Sequence, residues 1–192
     1  MEKPNVLGIC VDHWPGLLMG AAGHEHIISP TINSMAEHGT HFTEAYSSTP
    51  TCIPARRELM TGTEAKTHGD RIFNETLPMD PDLPTLADTF RKAGYKAYSV
   101  GKLHVYPQRD RIGFDDALIN EEGRHHLGNV KDDYELYLEQ QGLPGHELTH
   151  GIGNNQYPVR SWHLEEKHHP TNWTTREMCR QIKRRDPTKP GF

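Results

Sequence analysis

The order in which apolar strands and helical patterns alternate constrains the fold of this sequence more than any other feature. Residues Val6 to Val11 form an almost continuous apolar run that ends at Asp12, as expected of a buried parallel strand. Residues 83–94 follow helical spacing and lead directly into a second strand pattern at 95–100. Strand, helix and strand in this order predict a parallel α/β sheet.

Caps, first-turn prolines and apolar spacing predict further elements. These are a helix from Pro30 to Gly39, a strand from Phe42 to Tyr46, a helix around Pro54 ending at Gly62, a helix over 132–142, and a last helix opened by a capping box at Thr174–Glu177 and ending at Lys183–Arg185. Residues 107–131 and 142–170 are polar, rich in Gly, Pro and His, and are predicted to be loops over a site. The final DPTKPGF turns as a chain does before entering another strand.

Composition excludes several classes of protein. The chain has 192 residues, enough for one substantial core or a large piece of a bigger domain, and its net charge of −5 with no long basic stretch argues against nucleic acid as a partner. The first apolar run is too short for a secretory core or a membrane span, so we expect a soluble, cytoplasmic protein with no membrane partner. Three cysteines cannot form a disulfide framework, and Cys10 and Cys179 are expected to be packing residues.

Polar side chains cluster where the predicted sheet would end, which is where open α/β sheets bind ligands. The clusters follow the first strand, the start of a helix and another strand, and they comprise Asp12, His13, Cys52, Arg56, Lys102 and His104. A helix N-terminus suits a tetrahedral anion, and Arg56 and Lys102 add positive charge. Asp12 could bind a hard cation, although an Asp that ends a strand is often only a turn residue. The pattern predicts an anion cradle that holds a nucleophile.

The other histidines point less clearly to a site. The pairs His125-His126 and His168-His169 lack metal-ligand spacing on a predicted helix, and we interpret them as loop histidines. His24 and His26, in GHEHI, are left open between a ligand role and a surface role.

The stretch CIPARRELMTG, from Cys52 to Gly62, closely resembles the C-x-P-x-R…L-x-T-G signature of the sulfatases, which marks the cysteine for conversion to Cα-formylglycine. Other stretches are also similar to family segments: PNVLGICVD to the opening strand, 29–46 to the next helix and strand, GKLH to the sulfate-binding segment, and 113–116 to a recurrent GFDD stretch. The resemblance implies an alkaline-phosphatase-like α/β/α sandwich with a mostly parallel central sheet. Residues 1–192 would form the N-terminal part of a single catalytic domain.

The resemblance also implies roles for individual residues. Cys52, as hydrated formylglycine, would be the attacking group, and Arg56 would hold the modified side chain. Lys102 would contact the sulfate, and His104 would accept a proton from the diol. His68, in THG, resembles a histidine that lies behind the modified residue.

A divalent cation is part of the same expectation. Asp12 and the modified Cys52 would bind it; calcium is the usual ion, with Mg²⁺ or Mn²⁺ as alternatives. His13 stands where the family often has a second Asp, so it is a candidate third ligand, and Ala55 replaces the usual Ser of the signature. The family's remaining metal ligands would lie beyond residue 192.

The expected reaction is hydrolysis of a sulfate ester on a small molecule or a saccharide, after a formylglycine-generating maturation enzyme has acted on Cys52. The loops at 107–131 and 142–170 would shape the substrate pocket. Two alternatives stay open. His13 is compatible with a phosphonate monoester or phosphodiester hydrolase that uses the same nucleophile, and the chain could be a catalytically incomplete fragment or a binding protein.

Overall fold

A computed structural model describes residues 3–153 and 156–192 of the chain. Strands β1 (Tyr98–Gly101) and β2 (Asp116–Ile119) pair in parallel, with Tyr98 opposite Asp116 and Gly101 opposite Ile119. On the other edge of β1, Lys96 forms a parallel bridge with Gly191. The predicted parallel sheet is present, and the final turn delivers the chain to its edge.

Helices occupy most of the predicted helical segments. They are α1 (Pro30–His38), α2 (Cys52–Thr61), α3 (Ala65–His68), α4 (Leu86–Lys92), α5 (Asp133–Gln140) and α6 (Pro170–Arg184), with short 3₁₀ turns at Gly20–Ala22, His125–Leu127 and Glu166–His168. Gly62, in the left-handed conformation, ends α2 as predicted. Among the described residues, no helix combines the length and the apolar character needed to cross a membrane.

Helices cover both faces of the sheet. Successive side chains of a strand point to opposite faces. Ala117 and Ile119 contact a cluster that includes Ala87 of α4. Leu118, together with Val100 of β1, packs against a second cluster, which α5 and α6 form through Tyr134, Leu138 and Trp173. The layers are therefore helix, sheet and helix, as expected.

The GFDD stretch joins α4 to the sheet. Gly113 has a φ of +97°, and a Cβ there would lie 2.5 Å from Thr85 Oγ1 and 2.8 Å from the Asp88 nitrogen. Thr85 Oγ1 accepts a hydrogen bond from that same Asp88 N–H and caps α4. Two residues later, Asp115 Oδ2 accepts a hydrogen bond of 2.9 Å from Ala97 N–H, just before β1. Only glycine fits this close approach between the turn and the helix cap.

Two predicted strands are wrong. Residues 6–11 are extended but unpaired along most of their length, and Leu7 and Ile9 are more than half exposed. Val6 N–H donates to Gly191 O at 2.9 Å, and within 3–153 and 156–192 this is the one backbone hydrogen bond from that run to the sheet. Residues 42–46 also form no strand. Their composition suits a strand, but a strand exists only where a neighbour supplies hydrogen bonds.

Two other predictions need correction. The predicted loop at 107–131 contains β2, whose four residues are too few to show an alternating pattern. The capping box at Thr174–Glu177 lies inside α6, because that helix begins at Pro170, a favoured first-turn residue, with His169 as its cap. A capping box does occur at Asp132–Glu135, where it opens α5.

The two cysteines outside the signature do not pack in a core. Cys10 and Cys179 are both exposed, so their predicted packing role is wrong. Cys10 lies on the exposed run at 6–11, and Cys179 lies on the solvent side of α6.

Candidate active site

The side chains of Arg56 and Lys102 meet at the carboxylate of Asp12. Lys102 Nζ lies 2.7 Å from Asp12 Oδ2, and the Arg56 guanidinium lies 3.2 Å from Asp12 Oδ1. Arg56 also donates a hydrogen bond to the backbone carbonyl of Lys102. The end of the N-terminal run, helix α2 and the loop after β1 are therefore joined by charge-assisted hydrogen bonds.

These cations determine the charge of Asp12. Burial by itself raises the pKa of the carboxyl, but the hydrogen bond and charge of Lys102 and the charge of Arg56 outweigh it and lower the pKa to about 2. Asp12 is therefore ionised across the neutral range.

Cys52 is the first residue of α2 and is partly exposed. The first N–H groups of a helix have no partner within the helix, and the helix dipole is positive there. Arg56 is four residues further on and therefore lies on the same face of α2. The buried Arg57 fixes the helix, because its guanidinium donates to the Leu77 and Pro78 carbonyls at 2.7 Å each. The result is a partly exposed thiol at a positively charged helix end.

His104 lies in the loop after β1 and is buried, with a φ of +60°. Neither ring nitrogen has a hydrogen-bond partner among the described residues, and the ring packs edge-on against Phe73 at 5.7 Å between centroids. Burial, followed by the charges of Arg124, Lys102 and Arg56, lowers the pKa of His104 to about 2. The imidazole is therefore neutral across the neutral pH range. Two buried nitrogens without partners are also what a ligand-binding position would leave.

The sequence analysis missed the acidic residues that hold this loop. Glu121 Oε1 accepts hydrogen bonds from the N–H groups of Leu103 and His104, each at 2.9 Å. Glu122 Oε1 lies 3.0 Å from Lys102 Nζ, so that lysine lies between two carboxylates. Both residues follow β2 inside the segment predicted to be a loop. Recognising β2 as the parallel neighbour of β1 would have placed them at the same sheet edge as Lys102.

Arg124 lies among the acidic residues that follow β2. Its buried guanidinium lies 3.3 Å from Glu122 Oε2, 3.7 Å from Glu75 Oε1 and 3.8 Å from Glu121 Oε2. Burial raises the pKa of Glu121, although the hydrogen bonds from the loop and the charge of Arg124 oppose that rise. Arg124 therefore compensates the acidic side chains that bind the loop.

The remaining predicted histidines lie outside these contacts. His24 Nδ1 accepts hydrogen bonds from the N–H groups of His26 and Ile27, as expected of a local turn. His68 closes α3; its Nδ1 accepts a hydrogen bond from Asp70 N–H, and its Nε2 is buried without a partner among the described residues.

The ionised carboxylate of Asp12 is a suitable ligand for a hard cation. His13 Nε2 lies 3.6 Å from Asp12 Oδ2, close enough for both atoms to contact one ion. Both carboxylate oxygens of Asp12 bind cationic side chains, so a cation would take over the place of the Lys102 ammonium. Calcium takes six to eight oxygen ligands. Asp12 and His13 would supply only part of such a shell, and among the described residues Cys52 does not form a group of three metal-ligating side chains with them.

Known proteins resemble this chain along nearly its whole length. A family model described as Sulfatase matches residues 4–190. An arylsulfatase of Clostridium perfringens is 34% identical over 201 residues, a match that covers 99% of this chain and 42% of that protein.

Two solved structures share the fold. A phosphonate monoester hydrolase of Agrobacterium radiobacter has a TM-score of 0.71 at 21% identity, covering 98% of this chain and 40% of that one. A protein in complex with its substrate D-glucosamine-2-N,6-O-disulfate has a TM-score of 0.68 at 20% identity, covering 99% and 33%. The predicted alkaline-phosphatase-like α/β/α fold is confirmed, and the chain spans less than half the length of these proteins.

Proposed function

We propose, because this chain belongs to the sulfatase family, that it carries the nucleophile and the anion-binding side chains of an enzyme that hydrolyses sulfate esters. The observation that carries the proposal is the convergence of Arg56 and Lys102 on Asp12, because Arg56 lies one helical turn after Cys52 in α2. Two cations beside a helix N-terminus match the charge and the shape of a sulfate group.

We propose that Cys52 is converted to Cα-formylglycine before the enzyme is active. The conversion replaces the Cβ–S bond with a C=O bond, releases the sulfur as sulfide and removes two electrons. It therefore needs an external oxidant, which we take to be dioxygen used by a maturation enzyme. The partial exposure of Cys52 and its place in C-x-P-x-R support this assignment.

In the proposed reaction, water first adds to the aldehyde to give a diol. One hydroxyl oxygen attacks sulfur, and the S–O bond to the substrate alcohol breaks, so that the alcohol leaves with a proton. His104 then takes the proton of the second hydroxyl, the C–O bond to sulfate breaks, and the aldehyde is restored. Lys102 and Arg56 stabilise the charge on the sulfate oxygens.

A divalent cation bound through Asp12, most simply Ca²⁺, would supply further positive charge next to the nucleophile. The low pKa of Asp12 keeps that ligand ionised, and the low pKa of His104 keeps the imidazole neutral before an anion binds. An anionic sulfate next to His104 would raise the pKa of the imidazole and so favour the proton transfer.

Mass spectrometry tests the nucleophile. The natural full-length protein, produced together with a maturation enzyme, should yield a peptide spanning Cys52 that is lighter than the unmodified peptide and reacts with a carbonyl reagent. Peptides with Cys10 and Cys179 serve as internal controls, because both thiols are exposed but lie outside the signature. An unmodified Cys52 thiol in an active enzyme would contradict the proposal.

Cys52→Ala should lower kcat by several orders of magnitude, because it removes the proposed nucleophile.

Parallel rate measurements test the substrate class. The proposal predicts that kcat/KM for an aryl sulfate exceeds that for the matching aryl phosphonate monoester. The reverse order would favour the phosphonate alternative, for which His13 beside Asp12 is the structural argument. Sulfated saccharides are the second class to assay, since one protein of similar fold binds a sulfated glucosamine.

A further inference from the structure

A second group of metal-ligating side chains lies outside the residues that contact Asp12. His125 comes from the 3₁₀ turn after β2, Glu135 from the first turn of α5, and Glu147 from the segment after α5. One ligand atom from each lies within 4.8 Å of the other two. Three successive segments of the chain therefore bring one imidazole and two carboxylates together.

The cap of α5 holds Glu135 in place, and Glu147 lies close to a turn. Glu135 Oε2 accepts a hydrogen bond of 2.9 Å from the backbone N–H of Asp132 in the capping box of α5. Its other oxygen, Oε1, faces His125 Nε2 at 2.8 Å. Glu147 Oε2 lies against the turn at Gly123, 3.2 Å from the position a Cβ would take there. The cap of α5 thus orients the Glu135 carboxylate and leaves its other oxygen facing His125.

The surroundings of Glu147 are negative. The side chain is partly buried, and among the described residues no donor forms a hydrogen bond with its carboxylate. The carboxylates of Asp132, Glu135 and Glu122 are the charged groups that act on Glu147. A bound cation would neutralise this concentration of negative charge, and it would do so without displacing any hydrogen bond of Glu147.

We propose that His125, Glu135 and Glu147 form a binding site for one divalent first-row transition-metal ion such as Zn²⁺. An imidazole with two carboxylates is a donor set that zinc accepts, whereas Ca²⁺ takes six to eight oxygen ligands. Two ligands of a tetrahedral zinc ion lie roughly 3.3 Å apart at metal–ligand distances of about 2.0–2.1 Å. The observed spacing therefore needs only small side-chain rotations, and water would complete the shell.

The metal would connect the segment after α5 to α5 itself and to the turn after β2. Glu122 and Arg124 lie between β2 and that turn. Glu122 contacts Lys102, and Arg124 contacts Glu122. The ion would therefore stabilise the segment after β2, whose residues Glu121 and Glu122 hold the loop that contains Lys102. This role is structural and does not depend on the sulfatase reaction.

Calorimetric titration of the natural full-length protein tests the site. After treatment with a chelator and dialysis into excess Ca²⁺, the protein should bind one equivalent of Zn²⁺ per chain that Ca²⁺ does not displace. Saturation should raise Tm, because a ligand that binds only the folded state stabilises it. His125→Ala and Glu147→Gln should each weaken Zn²⁺ binding by at least roughly 100-fold, since even substitutions outside the coordination shell cost about 10–100-fold.

His126→Ala is the matched control. His126 is the next residue in the same 3₁₀ turn and contacts Glu75 at 2.9 Å, so its removal should leave Zn²⁺ affinity unchanged. Circular dichroism confirms that each variant is folded, and Glu147→Gln keeps the size of the side chain if His125→Ala proves unstable. No stoichiometric Zn²⁺ binding, or equal binding by wild type, His125→Ala and Glu147→Gln, would overturn the proposal. None of these readouts requires sulfatase activity, so failure here leaves the proposed function untouched.

Discussion

Lys102 lies between two carboxylates that have different proposed roles. Asp12 is the proposed metal ligand, whereas Glu122 comes from the support after β2. A metal ion at Asp12 would compete with the ammonium group for that carboxylate. Glu122 would then keep Lys102 in the site and free to face the substrate. We therefore infer that Glu122 is a positioning residue for Lys102.

This pairing predicts a graded loss of activity. Lys102→Ala should lower kcat/KM for an aryl sulfate by roughly 10²-fold or more, because it removes charge from the anion site. Glu122→Gln should cost less, on the order of tenfold, because it only loosens the lysine. Glu139→Gln removes an exposed carboxylate paired with Lys131 and is the control. Steady-state kinetics in which Glu122→Gln matches wild type would exclude the positioning role.

His104 makes a different kinetic prediction. His104→Ala should release the substrate alcohol in a burst of about one equivalent and then turn over slowly, because release of sulfate lacks its base. Stopped-flow measurement with a chromogenic aryl sulfate checks this. Phe73→Leu removes the ring packed on His104 but keeps the imidazole, and it should show no burst. Wild-type turnover by His104→Ala would refute the role.

At the scale of single residues, the sequence predicts the side chains of the recognisable motifs but not the acidic residues that hold them in place. Asp12, Arg56 and Lys102 could be named because Asp ends an apolar run and the basic residues belong to recognisable segments. Glu121 and Glu122 have no such signal, since their role depends on the pairing of β2 with β1. Their function is visible only when the strands are placed side by side.

At the scale of elements, the contact between the GFDD turn and α4 deserves a direct test of stability. Gly113→Ala should destabilise the protein by about 1–2 kcal/mol for the positive φ, and by more because the new Cβ would meet Thr85 and the Asp88 nitrogen. Gly128→Ala is the matched control, since its φ is +116° and nothing lies within 4 Å of the new Cβ. Urea denaturation should show the larger loss for Gly113→Ala. Equal losses would mean that the close packing contributes nothing.

Helices, which depend on local sequence, were predicted better than strands, which depend on hydrogen bonds to a neighbouring strand. The helices α1, α2 and α5 follow from prolines, glycines and apolar spacing near their ends. The run at 6–11 has the composition of a buried strand, but within the described residues it finds a backbone partner at Val6 alone. The strand β2 shows the reverse case. Its four residues carry no recognisable strand pattern, but pairing with β1 makes them a strand.

At the scale of the whole molecule, exposed apolar side chains predict association. Leu7, Ile9 and Val11 are each at least half exposed and lie along one extended segment. Residues 1–192, produced alone, should therefore form dimers or larger species, and they should bind Ca²⁺ weakly because the predicted ligands fill only part of a calcium shell.

Light scattering and calcium titration check both parts of this expectation. Replacing Leu7, Ile9 and Val11 with serine should shift the population toward monomers, because it removes the exposed apolar surface. A stable monomer of the unmodified 1–192 chain, with tight Ca²⁺ binding and turnover of an aryl sulfate, would contradict it.

The contacts of Gly191 also have a consequence for protein synthesis. This residue bonds to Val6 and bridges to Lys96, so the third segment of the sheet joins parts of the chain made at very different times. At roughly 5–20 residues per second, about 10–40 s pass on the ribosome between residue 6 and residue 191. During that interval Val6 lacks the carbonyl that it bonds to in the folded chain. We therefore expect this third segment of the sheet to form only after translation has passed Gly191.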